Sequence, residues 1–156
     1  FMDGVHARRD AMKADLVSLW VERGDGCGIA YIMETVTPSF EPYGFSVTKR
    51  NCASSNLTFG HELGHNMGAR HDYYVDPTIG RPYEHNHGYA NAGRQWRTVM
   101  SYNNVCGSTR PCMRIPYWSN PDNTYSGEPM GTRGPGPWTD NRLTLDKTAH
   151  VVEGFR

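Results

Sequence analysis

No run of apolar residues in this 156-residue chain approaches the length that crosses a bilayer, and the longest, around Leu16 to Val21, has the size of one buried strand. Neither sign of charge is in excess, since Lys plus Arg and Asp plus Glu each number 16. That balance removes the electrostatic grounds for expecting nucleic acid or an anionic membrane surface as a partner. Internal repeats and low-complexity tracts are lacking, which excludes solenoids and disordered tails. None of the four cysteines sits in a Cys-x-x-Cys pair, so the commonest structural zinc site is excluded too. The chain starts at Phe1 without a signal peptide and reads as a mature or trimmed piece of a longer precursor.

What is there is ordinary globular composition, 37% hydrophobic and 21% charged, enough for one domain with one core. Cys27, Cys52, Cys106 and Cys112 allow three pairings; Cys106–Cys112 closes a short loop and leaves Cys27–Cys52. Disulfides imply an oxidising compartment, so the protein is expected to be secreted. Apolar spacing predicts a surface helix over residues 2–13, a central strand over 15–22, and further strands over 27–34 and 44–49. Ser54, Ser55 and Asn56 offer capping side chains for a helix over 58–67 that stops at Gly68. From residue 72 to 136 the chain is rich in Gly, Pro, Asn, Ser and Tyr and reads as irregular structure around Cys106–Cys112. Leu145, Ala149 and Val152 mark one face of a last helix.

The segment that carries chemistry is His61-Glu62-Leu63-Gly64-His65-Asn66-Met67-Gly68-Ala69-Arg70-His71-Asp72. Residues four apart share a helix face, so His61 and His65 can reach one ion. Gly68 permits the sharp turn that brings back His71 as third ligand. Three neutral imidazoles leave a fourth position for water, which is how a catalytic zinc site differs from a closed structural one. Glu62 is offset from the ligands and suits a general base. A zinc-bearing module that only grips peptides would not need that base. A structural zinc protein would need a fourth ligand, and Asp72, adjacent to His71, is poorly placed for it.

The pattern His-Glu-x-x-His-x-x-Gly-x-x-His resembles the metzincins, and Val99-Met100-Ser101-Tyr102 resembles their methionine turn. Asp72 after the third histidine is similar to the adamalysin or reprolysin group. The runs Arg97 to Tyr102 and Arg114-Ile115-Pro116-Tyr117-Trp118-Ser119-Asn120-Pro121 resemble secreted bacterial members related to the peptidyl-Asp metalloendopeptidases. The resemblance implies an α+β fold: a twisted mixed sheet with the active-site helix above a zinc cleft, and an irregular lower subdomain ending in a helix. Residues 1–156 would then be a single catalytic domain, with residues 1–68 above the cleft and residues 69–156 below it, lacking the group's usual first strand and helix.

The implied activity is zinc-dependent endopeptidase cleavage of extended polypeptides by a monomer with one catalytic Zn2+ and Glu62 as base. The structural residues would be Met100, Gly68 and Asp72. Tyr102 matches a tyrosine that assists the oxyanion in astacins and serralysins, though the group marked by Asp72 generally lacks it. Substrate would lie as an extended strand along Gly28, Ile29 and Ala30. A preference for cutting before Asp would need a cation, for which Arg97, Arg110 and Arg114 are candidates by position. No spacing assembles the oxygen cage of a structural calcium site. His85 and His87 read as a solvated pair with no third ligand, and His6 and His150 as surface residues. The aromatics from Tyr73 to Trp138 are expected to build a small core for the loop-rich half.

Overall fold

The computed structural model describes residues 3–156; Phe1 and Met2, where the first expected helix would begin, lie outside them. Helix α1, Asp3–Met12, is followed by strands β1, Val17–Val21, β2, Gly28–Ala30, and β3, Phe45–Lys49. The short helix α2, Arg50–Ala53, leads into α3, Thr58–Asn66. These strands form one sheet in the order β1-β3-β2, with β1 parallel and β2 antiparallel to β3. The strand expected to be central is therefore β1 at an edge, with Leu19 and Trp20 about half exposed. An apolar run marks a strand, but it does not count the strand's neighbours. The centre is β3, whose alternating burial puts Ser46 and Thr48 inside.

β2 is shorter than its apolar pattern because the backbone after Ala30 turns to bond elsewhere. The Asn66 side chain donates to the carbonyls of Tyr31 and Phe45 at 3.0 and 3.2 Å, and Met33 N donates to His65 O. That tie fixes α3 against the sheet. The α3 N-cap is Leu57 in the left-handed region (φ 55°) with no side-chain cap, in place of the expected Ser or Asn. Ser55 instead bonds back to Asn51 O. The helix ends as expected, with Gly68 at φ +86° and its N–H bonded to His65 O.

The lower half has more regular structure than its composition suggests. Strands β4, Ala90–Asn91, β5, Trp96–Arg97, and β6, Met113–Arg114, make a small sheet in that order. The pair Asn120–Tyr125 (β7) and Glu128–Met130 (β8) forms a hairpin whose Ser126 and Gly127 both have positive φ, the requirement of a type I′ turn. Such two- and three-residue strands leave no periodicity to read. The disulfides are Cys27–Cys52, joining the start of β2 to α2, and Cys106–Cys112, closing the loop between β5 and β6. The aromatic expectation holds for some of those residues: Trp96, Ile115 and Met130 form a core cluster against Tyr89 and Tyr125.

The last helix, α4, Asn141–Val152, starts at Asp140, whose carboxylate accepts from Leu143 N at 2.9 Å. Its buried face is Asn141, Thr144, Thr148 and Val152, with Leu145 half-buried, while Ala149 is exposed. The expected apolar stripe is displaced because Thr148 Oγ1 donates to Met67 O at 2.9 Å, a bond that an alanine could not make. Arg9 of α1 is also buried. Its guanidinium bonds the carbonyls of Ala14, Asp15 and Glu41 and lies over the Phe45 and Phe155 rings.

Candidate metal centre and peptide-binding edge

His61 and His65 project from one face of α3, and both are buried. Each is oriented by a main-chain acceptor: His61 Nδ1–H donates to Val99 O and His65 Nδ1–H to Ala69 O, both at 2.9 Å. Those bonds leave the two Nε2 lone pairs bare. After Gly68, Ala69 N closes back on Gly64 O, and the strand-like bridge between Arg70 and His87 carries the chain to His71. His71 Nε2 then lies 3.1 Å from that of His61 and 3.0 Å from that of His65. Ligands on a tetrahedral ion at about 2.0–2.1 Å sit about 3.3 Å apart, so the spacing suits a small metal ion.

Burial presses all three imidazoles towards the neutral form, and neighbouring histidines add to it for His61 and His71. His61 is held well below the usual range, His65 at about 4 and His71 at about 3, with desolvation the first cause in each case. Neutral imidazoles with converging lone pairs repel one another until a cation sits among them. The donor set therefore fits a borderline ion bound by nitrogen. These three are the cluster among the described residues that could hold a metal ion.

Glu62 stands beside the cluster without joining it. It is buried, and desolvation raises its carboxyl to about 7, against a smaller opposing pull from Arg114. Strand β2 presses on it: a Cβ at Gly28 would lie 2.5 Å from Glu62 Oε1, so a side chain there would have to displace Glu62 and Thr58. Ile29 is exposed and Ala30 half-buried, and β2 has β3 as its one partner among the described residues. Its outer edge is an open row of backbone groups.

Met100 is fully buried beneath α3, where a Cβ at Gly64 would come within 2.9 Å of its Sδ. Asp72 joins the two motifs. Its Oδ2 accepts from Tyr102 N at 2.7 Å and its Oδ1 from Tyr74 N at 3.1 Å, so it ties the third-histidine loop to the methionine turn. The Tyr102 ring meets that of His71 edge-on at 4.5 Å, and burial followed by the Glu62 charge raises its phenol. Arg97 and Arg114 come together at the Ser101 carbonyl, whereas Arg110 is exposed on the disulfide loop.

His85 and His87 are buried, which corrects the solvated reading. Both nitrogens of His87 lie 2.7 Å from carbonyl oxygens, those of His71 and Thr78, so neither is open to a second metal. His87 thereby holds the main chain of the third histidine, a role its sequence position did not signal. Asn66, inside the motif at a variable position, was equally silent. His150 is exposed as expected, while His6 is half-buried against Phe45.

Residues 1–72 match the metallopeptidase family M12B, reprolysin-like. Over its full length the chain is 35% identical to a peptidyl-Asp metalloendopeptidase of Stenotrophomonas maltophilia strain K279a and 34% identical to one of Xanthomonas campestris pv. campestris. It covers 35% and 34% of those proteins, about a third of their length. A peptidyl-Asp metalloendopeptidase of Pseudomonas fragi is 36% identical over 70% of this chain and 65% of its own. Among solved structures, a chain in the structure of a chaperone-substrate complex superposes with a TM-score of 0.65 over 96% of this chain and 22% of its own. At 23% identity that likeness speaks for the fold alone, an α+β architecture consistent with the reprolysin-like match over residues 1–72.

Proposed function

Residues 1–72 match the reprolysin-like M12B metallopeptidases, and from that premise we propose that the chain is a secreted zinc endopeptidase cutting extended polypeptides, with a preference for the bond before Asp. The observation that carries the reading is the convergence of three bare histidine nitrogens beside one buried, unligated carboxylate. His61, His65 and His71 would hold the ion. Zinc bound there supplies a Lewis acid that polarises the scissile carbonyl and makes a water acidic at neutral pH.

Glu62 takes the proton from the attacking water and returns it to the leaving nitrogen, two transfers open to a buried carboxyl that is not itself a ligand. The substrate main chain adds as a strand to the open edge at Gly28, Ile29 and Ala30, which lays the scissile bond beside Glu62. Met100, Gly68 and Asp72 position the ligands and stay out of the chemistry. The two disulfides support an oxidising, extracellular setting, and among the described residues no helix is long and apolar enough to cross a membrane. The preference for Asp is supported by what the similar proteins are called.

Digestion of a denatured protein mixture, with sites read by mass spectrometry, tests the reading. Zinc-loaded protein should cut, a chelator should stop it, and Asp should be enriched after the cut. Folded, zinc-loaded protein that cuts nothing would sink it. Tyr102 is assigned the hydroxyl that donates to the carbonyl oxygen as charge builds there. Tyr102→Phe should then lose about 10- to 100-fold in kcat with KM little changed, somewhat less than the loss of a strong oxyanion donor. Unchanged turnover would return Tyr102 to a packing role against His71.

A further inference from the structure

Two guanidinium groups meet at one backbone oxygen beside the histidines. Arg97 Nη1 and Arg114 Nη2 both donate to Ser101 O, at 2.5 and 3.2 Å. The other bonds they make also go to main-chain carbonyls, from Arg97 Nε to Cys112 and from Arg114 Nη1 to Asn56. Nε of Arg114 is buried with no partner. Among the described residues, neither group has a carboxylate within salt-bridge distance.

Two cations side by side and short of water repel, and an anion between them relieves both the repulsion and the lost solvation. Burial first, and Arg97 second, lower Arg114 to about 10, while Arg97, lowered by its own burial, feels an opposing pull from Asp72. The two arginines are direct partners in the β5–β6 register, so their forks start from neighbouring Cα positions. The Cys106–Cys112 loop and the carbonyls of Asn56 and Ser101 hold them in place before anything binds. Ser101 stands between Met100 and Tyr102, and the Arg114 charge is felt at Glu62 and Tyr102. A planar carboxylate is the acceptor that two such forks match.

We propose that the Arg97–Arg114 pair seats the side-chain carboxylate of the substrate residue that follows the scissile bond, and so sets the choice of Asp. This rests on the endopeptidase reading above and names the groups that make the selection. Kinetics on two peptides identical except for Asp or Asn after the bond would test it. Wild type should favour the Asp peptide by about 10- to 100-fold in kcat/KM, the range of charged hydrogen bonds. Arg97→Gln and Arg114→Gln should each pull that ratio towards one, chiefly through KM for the Asp peptide. Circular dichroism and metal content identify folded variants; if Arg114→Gln does not fold, Arg97→Gln decides. A wild-type ratio of one, or a ratio unmoved in a folded variant, overturns the proposal while leaving the peptidase reading standing. Failure of wild type to cut either peptide removes the reading and the proposal together.

Discussion

Replacing Glu62 by Gln is expected to lower kcat by about 10²- to 10⁴-fold, the range that a positioned general base contributes. Gln keeps the shape that fits against Gly28 and removes the proton acceptor. The metal should stay, because Glu62 lies outside the three-histidine cluster. Kinetics paired with zinc content per chain separate the two effects. A variant that turned over at the wild-type rate would mean that another group carries the proton. The folded protein should tolerate the change. In the metal-free chain the carboxyl ionises near 4.5 when unfolded and at about 7 when folded. Between those values the unfolded state holds fewer protons, so stability falls as pH rises through that window. A neutral Gln does not suffer that loss.

Removing the ion should abolish cleavage and also soften the fold. Bound ion present at a thousandfold excess over its Kd stabilises by about 4 kcal/mol. For a chain of this size each kcal/mol moves Tm by roughly 2–4 °C, so chelation should lower Tm by about 10 °C. Thermal melts with and without chelator, followed by zinc add-back, would measure it. The metal-free protein should also become acid-sensitive. Its three histidines ionise near 6.5 when unfolded, but His65 and His71 do so only at about 4 and 3 when folded. The unfolded state therefore binds more protons below 6.5, and stability is lost as pH falls through that window. A melting temperature indifferent to chelator would argue that no ion is bound at the three histidines.

The convergence of the three histidines was legible because its geometry is local. Two histidines four apart on a helix and one glycine able to turn the chain specify most of it, and His61, His65 and His71 do converge. Gly28 was placed beside the site only as part of the strand expected to hold substrate; that a side chain there would have to displace Glu62 is a fact of three-dimensional contact. Other features were hidden because they rest on bonds between distant segments. Asn66 reaching Tyr31 and His87 reaching His71 leave no mark on hydropathy or spacing. The α4 face was misplaced for a related reason: Thr144 and Thr148 look like surface residues until their hydroxyls are seen to find partners. The edge position of β1 was invisible because strand order is set by pairing, and a single strand's pattern does not encode it.

Those threonines belong to a wider property of the interior. Among the described residues, buried polar side chains such as Asn66, Asn86, Thr98 and Asn141 outnumber buried apolar ones. Exposing apolar surface on unfolding raises heat capacity, whereas exposing polar surface lowers it. An interior of this composition therefore gives a heat-capacity increment below the usual value for its length. The stability curve is correspondingly broad, and the fold that carries the histidines and Glu62 loses little of its margin as the temperature departs from its optimum on either side.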